Sequence, residues 1–497
     1  MTGRVFLSIV GAVCVAFVFC FGITDGHIGL DDWGYTSGCP FVRDGLCVDN
    51  VIHAFTDTGY GAIWMPVTFI SYMMDVTVFG DSWKAYHAMN VALHVINFLL
   101  ACQFLRRTLM MDGLDLGRLG NLAPFLGALA WALHPMRAEG VTFVASRKEE
   151  LWTMFSLCGL ISYMSFLKNP SFGRYLAVVV LVLLSFMSKP AVFNGWPTDC
   201  WLGISAFIFT IVIVVVLFVN IKRADRRFLC GALGLFAFSL GPTLGILGYV
   251  NGDQAMADRY MYFPHLAISM LLSYAILRIP LFRQHRGVLM CGAGLTILLA
   301  MVLTIPIVRS YENGYTVCLR ALNKDPNNWR ALRVVGNEWC ARLDRMDEGV
   351  NLLRKSMQIR NSKITADSLA YVLAIRGGEG DFEEVKRLCS SVMKNPGVDD
   401  GGMMLDALGI VSMRETEYER AVHWFECGLH AQKRNHSADH ALLYLGQGYS
   451  NLGRKAEAIR ILSRLTQSRL KKVAKQAATS LWTIRNSDGA TSFEWEP

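Results

Sequence analysis

A chain of 497 residues that is 53% hydrophobic and only 18% charged lies well below the roughly one-quarter charge of soluble domains, which excludes a wholly soluble protein. Its net charge of +8 is spread over short loops and is not gathered into a basic face interleaved with aromatics, so nucleic acid is not an expected partner.

Residues 1–309 alternate long apolar runs with short polar loops, and residues 310–497 read as an ordinary soluble helical sequence. The expected fold class is all-α, a polytopic membrane domain over 1–309 followed by a helical domain over 310–497. The first run, FLSIVGAVCVAFVFCFG, follows Arg4 as a signal peptide would, but no AxA-type cleavage site follows, so it reads as an uncleaved span. Nine spans are expected, at 5–23, 87–106, 121–138, 149–167, 174–190, 200–220, 228–249, 265–282 and 288–308. Arg4, then Arg106, Arg107 and Arg118, then Lys168 and Arg174, then Lys222 to Arg227, then Arg278 to Arg286 fall in alternate loops, which places those loops in the cytoplasm. An odd span count puts the C-terminal domain on the opposite side. Segment 62–79, AIWMPVTFISYMMDVTVF, would break this alternation if it crossed, and is expected as an interfacial amphipathic helix within a long first loop, 24–86. The 13 cysteines form no paired CxxC motifs, so no structural zinc site is expected, and Cys39 and Cys47 share the first loop, where a disulfide is open to them outside the cytosol.

Polar residues near span ends concentrate on the non-cytoplasmic side. HIGLDDWGYTSG puts two adjacent carboxylates, Asp31 and Asp32, just after the first span. YHAMNVALHVIN sets His87, Asn90, His94 and Asn97 on one helical stripe, which must face protein or an aqueous cavity. The deepest, Asn97, reads as an interhelical hydrogen bond, and His87, at the outer end, as a site residue. LHPMRAEGVTFVASRKEELW gathers His134, Arg137, Glu139, Arg147, Lys148 and Glu149, and AMADRYMYFP gathers Asp258, Arg259 and Tyr260. A lone Lys189 reads equally well as a snorkelling anchor.

Arginines at a bilayer surface suit a lipid phosphate, because the guanidinium donates paired hydrogen bonds and stays charged. A carboxylate opposite them can act as general base on a hydroxyl, and a like-charged neighbour raises its pKa toward that task. Together these groups have the logic of a lipid-phosphate-sugar glycosyltransferase. An acceptor hydroxyl attacks the anomeric carbon, the lipid phosphate leaves, and charge develops on both. The acidic pair could also hold Mg²⁺ or Mn²⁺, so a divalent metal stays open.

In the C-terminal part, LGIVSMRETEYERAVHWFECGL (408–429) and LGQGYSNLGRKAEAIRILSRL (445–465) share a pattern in which Gly409 and Gly446, and likewise Ala421 and Ala458, lie 37 residues apart. Weaker copies occur at 380–396 and 345–359. This is the pattern of a tetratricopeptide-like array of helix pairs, an α-solenoid whose groove suits peptide or protein binding.

The motifs LDDWGY, WMPVTFISYMMD, FGDSWKAYHAMNVALH, LHPMRAEGVTFVASRKEELWTMFSL, MSKP and QAMADRYMYFP occur in this order, with the repeats behind them. In them the chain resembles the transmembrane and tetratricopeptide-repeat O-mannosyltransferases and their bacterial relatives, which have the C-type glycosyltransferase fold. The resemblance implies a polyprenyl- or dolichyl-phosphate sugar donor, an inverting mechanism, and O-mannosylation or a related protein glycosylation on the non-cytoplasmic side. It implies catalytic roles for Asp31 and Asp32, and donor or substrate contacts from His134, Arg137, Glu139, Arg147, Lys148, Glu149, Asp258, Arg259 and Tyr260. The short chain and few repeats point toward a bacterial inner membrane, with repeats and active site expected in the periplasm or outside. The chain departs from the pattern after residue 193, where roughly two spans and one outer loop of the family are missing. The competing expectation is a catalytically inactive membrane-anchored scaffold whose repeats bind envelope or secreted proteins. A transporter ranks last, because the spans show no inverted repeat.

Overall fold

The computed structural model describes residues 2–27, 31–56, 64–111, 120–189, 223–240, 258–280, 284–341, 343–394, 402–431, 438–467 and 471–486. The regular elements among them are all helical, without a strand, and the chain divides into two compact units, Met1–Gly314 and Tyr315–Pro497.

The first unit opens with α1 (Thr2–Phe19), continues through the short helices α2 (Asp31–Tyr35), α3 (Pro40–Arg43) and α4 (Val48–Thr56), and then runs through α5 (Pro66–Phe79), α6 (Trp83–Met111), α7 (Leu122–Ala132), α8 (Arg137–Thr142), α9 (Arg147–Lys168) and α10 (Phe172–Ser188). Helices Arg223–Leu240, His265–Arg278 and Arg286–Ser310 follow. In α1, Val15, Val18 and Phe19 are buried while Phe6, Ile9 and Val13 stay exposed, and Arg286–Ser310 exposes Leu295, Leu298, Leu299 and Val302. Apolar faces this large would drive association in water and belong in hydrocarbon.

Among the described residues four helices are long and apolar enough to cross a membrane: Gly3–Gly22, Trp83–Met111, Val144–Lys168 and Gly287–Ser310. Four further expected spans appear as shorter apolar helices, Leu122–Ala132, Phe172–Ser188, Phe228–Ala237 and His265–Arg278. The expected span 200–220 lies outside the described residues. The run expected at 121–138 stops early for a local reason. Pro135 has no N–H and cannot continue the helix, so α7 ends at Ala132, residues 133–136 turn, and α8 restarts at Arg137.

The helix expected within 62–79 forms as α5, with Pro66 at its first turn, where its missing N–H costs nothing. Its polar residues turn inward beside Phe69 and Met73. Thr68, Tyr72 and Asp75 are buried, whereas Met74, Val78 and Phe79 are exposed. With α2 to α4 it forms a cap that has its own core of Tyr35, Val42, Phe69, Tyr72 and Met73. Within this cap Cys39 is buried and Cys47 exposed, and no disulfide joins them.

The bundle below packs around Phe98, Leu105, Phe125, Trp131, Tyr262 and Leu266. Gly127 of α7 sets how closely α7 meets His265–Arg278. A Cβ there would come within 2.7 Å of the Ser269 carbonyl oxygen.

The second unit is a succession of helices that each pack on the next, among them Trp329–Cys340, Met346–Ile359, Lys363–Arg376, Asp381–Leu388, Met403–Arg414, Tyr418–Ala431, Ala438–Asn451, Lys455–Leu465 and Lys471–Asn486. Leu369, Leu405, Phe425, Leu462 and Ile484 belong to one continuous core. Gly409 lies face to face with the Phe425 ring, which a Cβ would meet at 2.6 Å, and Ala421 and Ala458 are fully buried.

Candidate active site

The helical stripe on α6 faces inward, and its hydrogen bonds hold one end of the bundle together. His87 Nε2–H donates to the Gly26 carbonyl (3.0 Å), fixing the start of the first loop. Asn90 Nδ2 donates to the Val141 and Phe143 carbonyls, and its Oδ1 accepts from Arg147 Nε (2.8 Å). His94 Nε2–H donates to the Ala132 carbonyl, which leaves Nδ1 to accept from the Tyr262 hydroxyl (2.6 Å). Asn97 donates to the Glu150 carbonyl. One α6 face thus ties together the loop from 133 to 147, the start of α9 and the segment around Tyr262.

Arg147 is consumed by this scaffold. It is fully buried, lies 4.4 Å over the Tyr72 ring, and donates to Asp75 Oδ2 (2.5 Å), Asn90 Oδ1 and the Tyr86 carbonyl (2.9 Å). Burying a lone charge would cost several kcal/mol, and Asp75 from the buried face of α5 is the partner that offsets it. The guanidinium fork is therefore occupied inside the protein, where it fixes α5 against the first turn of α9.

The two adjacent aspartates have different environments. Asp32 is fully buried and its Oδ1 accepts the Ala145 N–H at 2.7 Å, fastening α2 to the 3-10 turn Val144–Ser146. Asp31, one residue earlier on the same short helix, is half-buried and lies in electrostatic reach of Lys148. Lys148 extends toward Tyr35, with Nζ 4.9 Å from the ring centroid, and also senses Glu149, Arg259 and Lys189.

The remaining cations come from three other segments. Lys189, just beyond α10, bonds Glu149 Oε2 at 2.7 Å and lies over Trp152 and Tyr260. Thr68 of α5 donates to the Ser188 carbonyl and holds that end in place. Arg259 pairs with Glu139 of α8 through both its side chain and its backbone N–H, and stacks near Tyr260 and Phe143. Burial opposes the charge on Arg259, but Glu139, Tyr260 and Glu149 together outweigh it and raise the pKa above its ordinary value. Arg137 is fully buried, donates from Nη2 to the Met261 carbonyl (3.0 Å) and lies over Tyr262, while its Nε and Nη1 meet no hydrogen-bond partner among the described residues. Asp258 and Glu149 are within its electrostatic reach. His134 packs edge-on against His265 beside it.

Asp31, Lys148, Glu139, Arg259, Tyr260, Arg137, His134 and Asp258 thus occupy one end of the bundle. His87, Asp32 and Arg147 make hydrogen bonds within the protein at this end, to the Gly26 carbonyl, the Ala145 N–H and Asp75. Two residues matter here more than their sequence context signals. Asp75 looks like a defect in an apolar run, and Lys189 like an anchor, until their buried partners are seen. No three His, Cys, Asp or Glu side chains converge on a metal position among the described residues.

No family model matches the chain, and no solved structure matches it. Over 126 residues, 25% of this chain, it is 29% identical to a Caenorhabditis elegans protein named Protein O-mannosyl-transferase F38B6.6. The matched stretch spans 17% of that relative's own length. The relative is a nematode protein, which gives a bacterial source no support.

Proposed function

We propose that the chain is a membrane glycosyltransferase that moves a hexose, mannose foremost, from a polyprenyl-phosphate donor to a hydroxyl of a protein acceptor on the non-cytoplasmic side. The observation that carries this reading is the convergence of Asp31 with Lys148, Arg259 and Arg137 at one end of an apolar helical bundle, all contributed by separate segments. In this reading Asp31 takes the proton from the acceptor hydroxyl as that oxygen bonds to the anomeric carbon from the face opposite the leaving group. The bond from that carbon to the lipid phosphate breaks with its electron pair going to the phosphate, and the configuration inverts. Lys148 and Arg259 neutralise the departing phosphate, the buried charge of Arg137 supports them from within the protein, and Tyr260 offers a ring face beside it. Asp32 acts as a positioning residue through Ala145. The second unit is read as a tetratricopeptide-like array, and the acceptor peptide is assigned to its apolar groove, a cavity of about 230 Å³ lined by Cys340, Tyr371, Ile375 and Met403.

The test supplies the purified protein with a radiolabelled polyprenyl-phosphate sugar and peptides rich in Ser and Thr, alongside an Asp31→Asn variant. Wild type should transfer sugar, and Asp31→Asn should retain its fold but lose about 10²–10⁴-fold in rate. Equal rates would remove Asp31 from the base role. Wild-type protein that binds the peptides and transfers nothing would instead make the chain a membrane-anchored binding scaffold.

A further inference from the structure

A second charged locus lies at the opposite end of the same bundle. The N-terminus of α1, the C-terminal turns of α6 and α9, and the first turn of α10 border a partly open cavity of about 370 Å³. Arg4, Arg106, Arg107, Lys168 and Arg174 line it. Helix α9 begins beside Asp31 and ends at this cavity, and its 22 residues span roughly 30 Å, about the thickness of the hydrocarbon core. The cavity therefore sits at the other membrane surface from the candidate active site and is a separate place in the molecule.

Charge bias at span ends accounts for basic residues in such a loop, but solvated anchors splay apart into water. Here five cations line one partly open cavity, and among the described residues none of them is ion-paired to a carboxylate. Arg106 Nε is buried and lacks a hydrogen-bond partner. Arg107 is held from behind by the Ile161 carbonyl (3.0 Å) and Ser165 Oγ (2.7 Å), which presets its guanidinium. Mutual repulsion among these groups is relieved by an anion, and guanidinium forks match phosphate oxygens. Met110, Met111 and Met164 complete the wall. This apolar side adjoins the exposed Tyr163 and Leu167 of α9, where an acyl chain would lie.

We propose that this cavity binds a phosphate group at the membrane surface, brought either by an anionic phospholipid of the surrounding leaflet or by a soluble phosphate compound. The full-length protein in phosphatidylcholine nanodiscs would be compared with the same protein in discs containing added phosphatidylglycerol, and separately with inorganic pyrophosphate added to the phosphatidylcholine discs. Thermal unfolding and native mass spectrometry of retained lipid are the readouts. Phosphatidylglycerol should raise the melting temperature and be retained, and an Arg106→Gln/Lys168→Gln double variant should weaken this by roughly thirtyfold, two surface cations' worth. Arg106→Lys should keep most of the effect. A response to pyrophosphate and not to phosphatidylglycerol supports the site and assigns it to the soluble source. No response to either overturns the proposal, and so does a full phosphatidylglycerol response in the double variant, because bulk surface charge would then suffice. Should the double variant fail to fold, Arg4→Gln, an exposed residue outside the packed core, serves in its place and must weaken retention.

Discussion

The adjacent carboxylates Asp31 and Asp32 divide their labour by burial. Asp32 is enclosed and spends an oxygen on the Ala145 N–H, so Asp32→Ala leaves a buried donor unmet and should destabilise the protein by about 1–3 kcal/mol. Asp31→Ala should leave the melting temperature close to wild type, and equal destabilisation by the two would contradict the division. Arg147 invites a sharper measurement. Removing Asp75 strands a fully buried guanidinium, so Asp75→Ala should cost about 3–5 kcal/mol, whereas the Asp75→Ala/Arg147→Met pair should cost less than the sum of its single changes. A double-mutant cycle read by thermal unfolding decides this, and simple additivity would mean that the pair is not coupled. The residue types at this end of the bundle were legible in the motifs. Which of them face one another was not, because Glu139 finds Arg259 across 120 positions and Asp32 finds Ala145 across 113.

At the scale of elements, apolar run length located the helices well wherever nothing interrupted the run. It overshot at α7, where Pro135 stops a helix that hydrophobicity alone would continue. It did not show that polar residues of α5 turn inward to meet Arg147. In the second unit the small residues at the 37-residue spacing sit where helices touch. Gly409→Val would push a branched side chain into the Phe425 ring and should cost about 1–3 kcal/mol, visible as a lower melting temperature; an unchanged melt would show that the helices can move apart freely. The same unit carries a charge network across three helices. Arg376 grips Asp381 with two hydrogen bonds and reaches Asp347, while Arg354 pairs with Glu384. Burial alone would raise the Asp381 pKa, but Arg376, aided by the Gly378 N–H, holds it below the usual carboxyl value. The unfolded chain therefore takes up the proton first. The stabilisation is complete above the ordinary carboxyl pKa of about 4 and is lost as pH falls through the lower folded value. Asp381→Asn should flatten this acid limb of the unfolding curve, and an unaltered limb would assign it to other carboxylates.

At the scale of the whole molecule, both ends of one helical bundle are charged, and roughly a bilayer thickness of apolar side chains separates them. Cysteines introduced at the exposed Asp258 and at the exposed Asn169 should react with a membrane-impermeant maleimide from opposite sides of intact vesicles. Labelling of both from one side would refute the bundle as a transmembrane body.

By itself the sequence determined the all-helical class, the apolar segments suited to a membrane, the clustering of charged motifs near span ends, and the regular placement of small residues in the second unit. All of these are local properties, set by run length, periodicity and residue type within about twenty positions. Only the tertiary structure decided that Asp32 and Arg147 are hydrogen-bonded inside the protein while Asp31 and Lys148 remain within reach of one another, that Lys189 belongs with Glu149, and that five cations line one cavity. Burial decides whether a charge must be spent on the scaffold or is left for a ligand, and burial is created by segments that the chain brings together from far apart.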